Sequence, residues 1–403
     1  MTESGAERRG FGVAVVGHGF MGRAHVLGWS RVTEAFPELR LAPRVVALVG
    51  RDLARTQAAA ARLGVPEATT DLDAVLARSD VDLIDVCTPG DTHAPYSLGA
   101  LAAGKHVLCE KPLANSLVEA DAMASAAREA SRSGVVAMVG FNYRRVPALA
   151  LARQLVAEGR LGTLRHLRFA YLQDWLVDPA FPATWRLTKD TAGSGALGDL
   201  GAHLIDLAGF LTGELPRALG AVTRTFVSER PAASAGVGIV REDRSATEAA
   251  TIPVTVDDAV AVLAHFPSGA LGTFEATRMA TGRKNGLTVE LYGSRGALFF
   301  DLERLNELTV VSGHDGGAGA TWRLVTEPDD PYVGAWWPPG HTIGWEHTFV
   351  HEFADLLLAI QSGEPPTPTF DDGRAVQAVL DAIERAAETG RVETVDDSPA
   401  GRP

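Results

Sequence analysis

Short apolar runs alternate with longer alanine-rich segments over the first third of the chain. The runs at 11–16, 44–49, 81–87, 106–109 and 135–139 read as buried strands. Between them, 21–32, 53–63, 92–103 and 115–131 carry the longer spacing of helices. Strand and helix in this alternation predict a doubly wound parallel sheet covered on both faces, with ligands gathered outside the carboxyl ends of its strands.

After about residue 145 the pattern changes. A helix is predicted over 146–158 and a strand over 163–173. A glycine-rich approach, Gly195-Ala-Leu-Gly-Asp-Leu-Gly-Ala-His-Leu-Ile-Asp206, then feeds an apolar helix that runs to about Leu211. Strand-like runs follow at 217–227, 258–266, 270–278, 287–292, 297–300 and 308–311. Pro267-Ser-Gly269 and Gly293-Ser-Arg-Gly296 are turn signals between neighbours, which predicts a meander and antiparallel pairing. The stretch 228–253, rich in Ala, Ser, Gly and charge, reads as a loop or flap. Two helices close the chain at 346–361 and 375–387, the first with an apolar stripe of Phe349, Phe353, Leu356, Leu357 and Ile360. The tail from about 395 is expected to fray. The domains expected are 1–145 and 146–403, with the C-terminal helices of the second free to pack back on the first, in an α/β protein whose second part is built on an antiparallel sheet.

Composition narrows the partners. The 403 residues hold 37 basic and 50 acidic side chains, a formal charge of −13, which argues against nucleic acid. The two cysteines, Cys87 and Cys109, lie in apolar runs and read as buried thiols. No apolar segment of signal-peptide or membrane-spanning type occurs, so a soluble cytoplasmic protein with no membrane partner is expected.

Candidate chemistry sits at the predicted strand ends. Gly17-His-Gly-Phe-Met-Gly22 follows the first strand and opens a helix, the G-x-G-x-x-G pattern of a dinucleotide site. Gly17 allows the tight turn, Gly19 a close approach to pyrophosphate, and Gly22 close packing of helix on strand, while Phe20 and Met21 open the helix whose N–H groups meet phosphate. The cofactor is therefore NAD or NADP. The second strand ends in Val49-Gly50-Arg51-Asp52. Gly50 stands where an acid would take the ribose hydroxyls of NAD; Arg51 suits adenine or a 2′-phosphate, and Asp52 suits a helix cap. Thr88, Pro89, His93, Glu110 and Lys111 also follow strand ends and fit a ligand crevice, with Glu110 placed to orient the Lys111 ammonium.

In the second half, Asp199 and His203 are four apart and share a helix face, and Asp206 lies three beyond. A carboxylate beside an imidazole suits general acid–base work. Gln173, Trp175, Trp185 and Arg186 precede that helix, and polar groups around an aromatic face suit a sugar or polyol. Tyr143 and Arg144 follow the last strand of the first part and are candidates for the same crevice. Trp336-Trp-Pro-Pro-Gly-His341 is an aromatic loop suited to roofing it. His347 and His351 are not H-E-x-x-H, since the acid does not follow the first histidine, and no metal is expected.

Gly17-x-Gly-x-x-Gly22, Glu110-Lys-Pro112 and Gly198-Asp-x-Gly-x-His-x-x-Asp206, in that order, resemble the glucose–fructose oxidoreductase / inositol dehydrogenase (Gfo/Idh/MocA) family from about residue 11 to 395. The resemblance implies a Rossmann domain, then an α/β domain on a large open, mainly antiparallel sheet, with substrate between them. Tyr171-Leu-Gln-Asp-Trp175, Trp185-Arg186, Gly193-Ser-Gly-Ala-Leu-Gly-Asp199, Val256-Asp-Asp258 and Glu275-Ala-Thr-Arg278 are similar to the levoglucosan dehydrogenase branch and its relatives acting on C3 of sugars. That branch implies NAD and oxidation of a secondary ring hydroxyl to a ketone. His203 is then the base, Lys111 the stabiliser of the alkoxide, and Asp199 the group that holds the sugar and tunes His203. Gly50-Arg51 departs from the NAD-like acid and keeps an NADPH-dependent ketosugar reductase open. A reading of another class is a non-catalytic NAD(P)-sensing regulator. An open sheet face needs cover, and the family points the same way, so a homo-oligomer, dimer or tetramer, is expected.

Overall fold

The computed structural model describes residues 8–232, 250–313 and 319–395. In chain order the first elements are β1 (Arg9–Val16), α1 (Phe20–Trp29), α2 (Val32–Ala35), β2 (Leu41–Val49), α3 (Leu53–Leu63), β3 (Ala68–Thr69), α4 (Leu72–Leu76), β4 (Leu83–Val86), α5 (His93–Ala102), β5 (His106–Glu110), α6 (Leu117–Ser131) and β6 (Ala137–Gly140). Then come α7 (Pro147–Ala157), β7 (Leu164–Leu172), α8 (Lys189–Ala192), a π-helical turn (Leu197–Gly201), α9 (Ala202–Thr212), β8 (Ala218–Arg224), β9 (Glu229–Pro231) and β10 (Thr251–Pro253). The chain closes with β11 (Ala259–His265), β12 (Leu271–Thr277), β13 (Gly286–Gly293), β14 (Gly296–Asp301), β15 (Glu307–Ser312), β16 (Gly319–Leu324), α10 (His347–Ser362), α11 (Phe370–Thr389) and β17 (Glu393–Thr394).

Two compact units result. One comprises Met1–Ala114, Val118–Asn142 and Glu346–Arg374; the other comprises Asn115–Leu117, Tyr143–Trp345 and Ala375–Pro403. α10 belongs to the first unit, and Tyr143 and Arg144 belong to the second. No described helix is long and apolar enough to cross a membrane.

The first unit is a six-stranded parallel sheet in the order β3-β2-β1-β4-β5-β6. Phe11, Val13, Ala14, Val15 and Val16 are all buried, as are Leu83, Ile84 and Val86, which is why these strands read as continuous apolar runs. The chain reverses its direction of winding between β1 and β4, and ligands of such sheets sit there, outside the strand ends. α3 has the bounds expected from sequence because both ends are signed: Asp52 accepts the Arg55 N–H, and Gly64 takes a left-handed φ of 71°. β3 and α4 were not foreseen, being too short to show a period. α10 packs on α1, with Phe353 stacked on Trp29 at 4.1 Å between ring centroids.

The second unit holds a nine-stranded sheet in the order β16-β15-β14-β13-β7-β12-β11-β8-β17. It is mainly antiparallel but is not the simple meander expected. β7 lies between β12 and β13, parallel to the first and antiparallel to the second. Alternation of apolar positions tells which face a strand buries, not which strand sits beside it. The insertion aligns Phe169 with Phe274 in register and stacks their rings at 5.2 Å. Helix α9 packs on β7, and α7 packs on β14 and β15. The opposite face carries Val222, Leu263 and Leu271, 68, 70 and 50% exposed.

The stretch 228–253 is more ordered at its ends than a flap. β9 and β10 pair antiparallel there. Arg230, fully buried, donates to the carbonyls of Leu176 at 2.6 Å and Asp178 at 2.8 Å. The centre of the stretch, 233–249, and the tail beyond 395 lie outside the described residues.

Candidate active site

In the first unit the three motif glycines have the three environments a pyrophosphate loop needs. Gly17 adopts φ 100°, and a Cβ there would lie 2.7 Å from the Cys87 carbonyl oxygen. At Gly22 a Cβ would lie 1.9 Å from the Gly17 carbonyl oxygen, so helix and turn touch. Gly19 is the N-cap of α1 and has nothing within 4 Å of its Cβ position, leaving an open approach to the first N–H groups of the helix. Phe20 and Met21 begin that helix, Phe20 48% exposed. These residues fit a dinucleotide.

At the β2 end, a Cβ on Gly50 would lie 2.3 Å from Thr56 Oγ1 and 2.7 Å from the His18 ring. No side chain, acidic or otherwise, fits at 50 without rearrangement. Asp52 is the cap of α3, and Arg51 beside it is exposed. Burial lowers the pKa of His18, and the charges of Arg62 and Arg55 lower it further.

The β4 and β5 ends behave differently from one another. Thr88 and Pro89 are half-buried in the loop after β4, where Thr92 Oγ1 lies 2.7 Å from Thr88 Oγ1 and 2.8 Å from the Pro89 carbonyl. His93 departs from the expectation that it faces a ligand. It is 1% exposed and its two ring nitrogens lie 2.9 Å from the carbonyl oxygens of Pro112 and Thr88. It ties the loop after β4 to the loop after β5. Burial opposes a charge on this ring, but the neighbouring Cys109 sulfur and the two carbonyl acceptors outweigh it and lift its pKa to about 9. Glu110, expected to orient the Lys111 ammonium, ends β5 and is 5% exposed; its carboxylate meets the buried His25 ring and the main-chain N–H of Lys111. Lys111 itself is half-buried.

In the second unit the Asp/His element is not the regular helix expected. Ala202 N–H donates to Leu197 O, the i→i+5 bond of a π turn, and α9 begins only at Ala202. Asp199 therefore stands in the wide turn and His203 in the first turn of the α-helix. Single π turns of this kind recur at functional sites. Asp257 holds the start of the turn, accepting the N–H of Gly195 at 2.7 Å and of Leu197 at 2.9 Å. Two guanidiniums flank the Asp199 carboxylate: Arg278 Nη1 at 3.9 Å and Arg186 Nε at 4.0 Å from Oδ2. Asp206 is held by a different guanidinium. It is 1% exposed and bound by two nitrogens of Arg144 at 2.6–3.0 Å, a buried pair inside the unit. Nε and Nη2 of Arg144 are thereby committed to that pair.

His203 is 7% exposed, its ring 4.5 Å from that of Tyr143 and 6.0 Å from that of Tyr171. The two phenol oxygens are 2.8 Å apart, Tyr171 donates to Asn285 Oδ1 at 2.7 Å, and Gln173 Nε2 donates to the same oxygen at 2.7 Å. Burial pushes both phenols above 10, so both remain donors. Trp175 packs edge-on to Phe181 at 5.3 Å and lies beneath Arg278 at 5.7 Å, while Arg186 stacks on Trp185 at 4.3 Å. Tyr143, Gln173, Trp175, Arg186, Asp199 and His203 thus form connected networks within one unit. Tyr171, Asp257 and Arg278 lie in stretches that carry the resemblance but were not singled out as site residues, and Asn285 was missed altogether. Tyr171 was legible, since it shares a strand face with Gln173 two positions on. Asn285, in the turn before β13, had no such signal.

The chain matches the "Oxidoreductase family, NAD-binding Rossmann fold" over residues 11–141 and the "GFO/IDH/MocA C-terminal domain" over 149–299. It is a member of the GFO/IDH/MocA oxidoreductases. Levoglucosan dehydrogenase of Pseudarthrobacter phenanthrenivorans is 40% identical over 93% of this chain and 95% of that protein. The 1,5-anhydro-D-fructose reductase of Ensifer adhaerens is 30% identical over 95% of this chain and 98% of its own. Among solved structures, an oxidoreductase domain protein from Kribbella flavida superposes with a TM-score of 0.91 at 49% identity, covering 96% of this chain and all of that one. Levoglucosan dehydrogenase in complex with NADH and levoglucosan gives 0.88 at 37%, with 96% and 100% covered. This GFO/IDH/MocA member is accordingly an oxidoreductase of the sugar and cyclitol dehydrogenases, with an NAD-binding Rossmann fold.

Proposed function

We propose that the enzyme oxidises a secondary ring hydroxyl of a sugar, anhydrosugar or cyclitol to a ketone, with levoglucosan-like substrates or C3 of glycosides favoured. The observation that carries this is the set around His203: an imidazole bordered by two protonated phenols, an amide chain, and a carboxylate held between two guanidiniums. Such a surface offers donors and acceptors in the density a polyhydroxylated ring demands. The likeness to levoglucosan dehydrogenase supports the same class.

When bound, the nicotinamide supplies the hydride acceptor. His203 takes the hydroxyl proton as the carbonyl forms, and Lys111 stabilises the charge that develops on that oxygen. Asp199 binds a sugar hydroxyl and tunes His203, while Tyr143, Gln173, Trp175 and Arg186 hold the ring. Gly17, Gly19, Phe20, Met21, Gly22, Arg51, Thr88 and Pro89 are the nucleotide residues in this reading. His203→Ala and Lys111→Ala should each lower turnover by about 10²–10⁴-fold with coenzyme binding retained. Near-normal turnover in either variant removes that residue from the mechanism.

NAD stands first because solved relatives were obtained with NADH. A ketosugar reductase using NADPH is the second reading, favoured by the absence of room for an acid at Gly50 and by Arg51 beside it. Dissociation constants for NAD and NADP, with turnover on alcohol and ketone substrates, decide between the two. The sheet face bearing Val222, Leu263 and Leu271 is where copies of the chain would meet in a homo-oligomer, a proposal that light scattering tests directly.

A further inference from the structure

His25, Asp85 and Glu110 form a buried charged triad that the chemistry above does not use. His25, in the second turn of α1, and Asp85, on β4, are fully buried. Nδ1 of His25 lies 2.9 and 3.0 Å from the two Asp85 oxygens, and Nε2 lies 3.0 Å from Glu110 Oε1. A carboxylate at each nitrogen accepts from an N–H at each, so the ring carries both protons. Burial alone would strip the second proton, but the Asp85 charge outweighs burial and the ring's pKa stands well above 6.5.

The near end of the triad is enclosed by packing and hydrogen-bonding side chains. Trp29 Nε1 donates to Asp85 at 2.8 Å, Cys87 Sγ lies 3.4 Å from Asp85, and Phe349 and Phe353 of α10 face the ring at 5.2 Å. His25, Asp85 and Cys87 bring ligand atoms within 4.8 Å of one another, but the imidazole proton already occupies the place a cation would take. The far end of the triad is different. Glu110 Oε2 accepts the main-chain N–H of Lys111 at 3.2 Å, and Gly140 on β6 makes room, since a Cβ there would lie 3.2 Å from Glu110 Oε1.

We propose that His25 is a positioning residue for Lys111: through Glu110 it fixes the main chain from which the Lys111 ammonium is presented. Without the ring, Asp85 and Glu110 become two buried carboxylates lacking a counter-charge, and one must take up a proton or turn away. The acceptor at the root of Lys111 is then lost. The inference rests on the catalytic role proposed for Lys111.

The test is His25→Gln in the full chain, made in the wild-type and Lys111→Ala backgrounds. With Lys111 present, kcat should fall by about 10–100-fold, the range expected for a small misplacement of a reacting group, while the NADH dissociation constant stays near its wild-type value. In Lys111→Ala the same substitution should change residual kcat by less than about twofold, because the two residues act in one path. An unchanged kcat, or an equal loss in both backgrounds, overturns the proposal. The link is also read without turnover. The chain has four lysines, so the amine-labelling rate of Lys111 can be followed by mass spectrometry against Lys105, Lys189 and Lys284. That rate should change in His25→Gln, and an unchanged rate overturns the link. If Lys111→Ala keeps normal turnover while labelling changes, the role of Lys111 fails and the link stands. Should His25→Gln not fold, Glu110→Gln, which keeps the side-chain shape, is judged by the same labelling and the same kcat loss.

Discussion

Replacing Gly195 with alanine loads the π turn at its start. The added Cβ would lie 1.8 Å from the Asp257 carbonyl oxygen and 2.7 Å from Arg278 Nη2. Both neighbours are held in place. Ala196 N–H donates to that carbonyl at 3.0 Å, the Asp257 carboxylate takes the N–H groups of Gly195 and Leu197, and Arg278 is fully buried. Restoring a tolerable contact of about 3.2 Å parts the two backbones by about 1.4 Å. Overpacking of this kind costs about 1–3 kcal/mol, and each loosened charge-assisted hydrogen bond adds on the order of 1 kcal/mol. Asp199 lies in the same turn, and a misplacement of about 1 Å costs on the order of 10²-fold in rate. Gly195→Ala should therefore fold, melt at a lower temperature, bind NADH as the wild type does, and turn over about a hundredfold more slowly. Calorimetry, NADH titration and steady-state kinetics on one preparation make the comparison. Wild-type turnover with an unchanged melting temperature would refute the claim that a rigid turn presents Asp199.

Two further outcomes follow from the buried ionisable groups. Asp206→Ala leaves the Arg144 guanidinium buried without its carboxylate and should cost about 3–5 kcal/mol in denaturant unfolding; a loss under about 1 kcal/mol contradicts the pairing described. His93 and His25 have raised pKa values in the folded chain, so the stability they contribute is complete below about pH 6.5 and is lost as pH rises, for His93 up to about 9. His18 and His106, whose values are lowered, titrate at or below 6.5 and leave that window clear. Denaturant midpoints should fall between pH 6.5 and 9 in the wild type and fall less in His93→Asn; equal slopes contradict the assignment.

What was legible in the sequence was whatever a local signal specifies. Asp52 and Gly64 mark both ends of α3, and Gly17, Gly19 and Gly22 each meet the constraint their spacing implies. Long-range pairing was not legible. The place of β7 between β12 and β13 depends on partners about a hundred residues away, and nothing in its alternation names them. The π turn was hidden for a similar reason. Asp257, sixty residues on, holds the N–H groups that open it, so a sequence read for helix period alone gives an α-helix. His93 and Asp206 show the limit of reasoning from residue type. Both are groups that chemistry could use, and both are consumed by the fold, one by two carbonyls and the other by Arg144. Asn285 is the converse, a turn residue without pattern that closes the hydrogen-bond chain from Tyr143 to Gln173.

The most direct measurement is coenzyme reduction on a panel of levoglucosan, glucose, glycosides and inositols with NAD and NADP, for the wild type and His203→Ala side by side. The account predicts reduced nicotinamide with at least one ring-hydroxyl substrate, and a loss of orders of magnitude in His203→Ala while the coenzyme still binds. No reduction with any member of the panel, or undiminished turnover in His203→Ala, would contradict it.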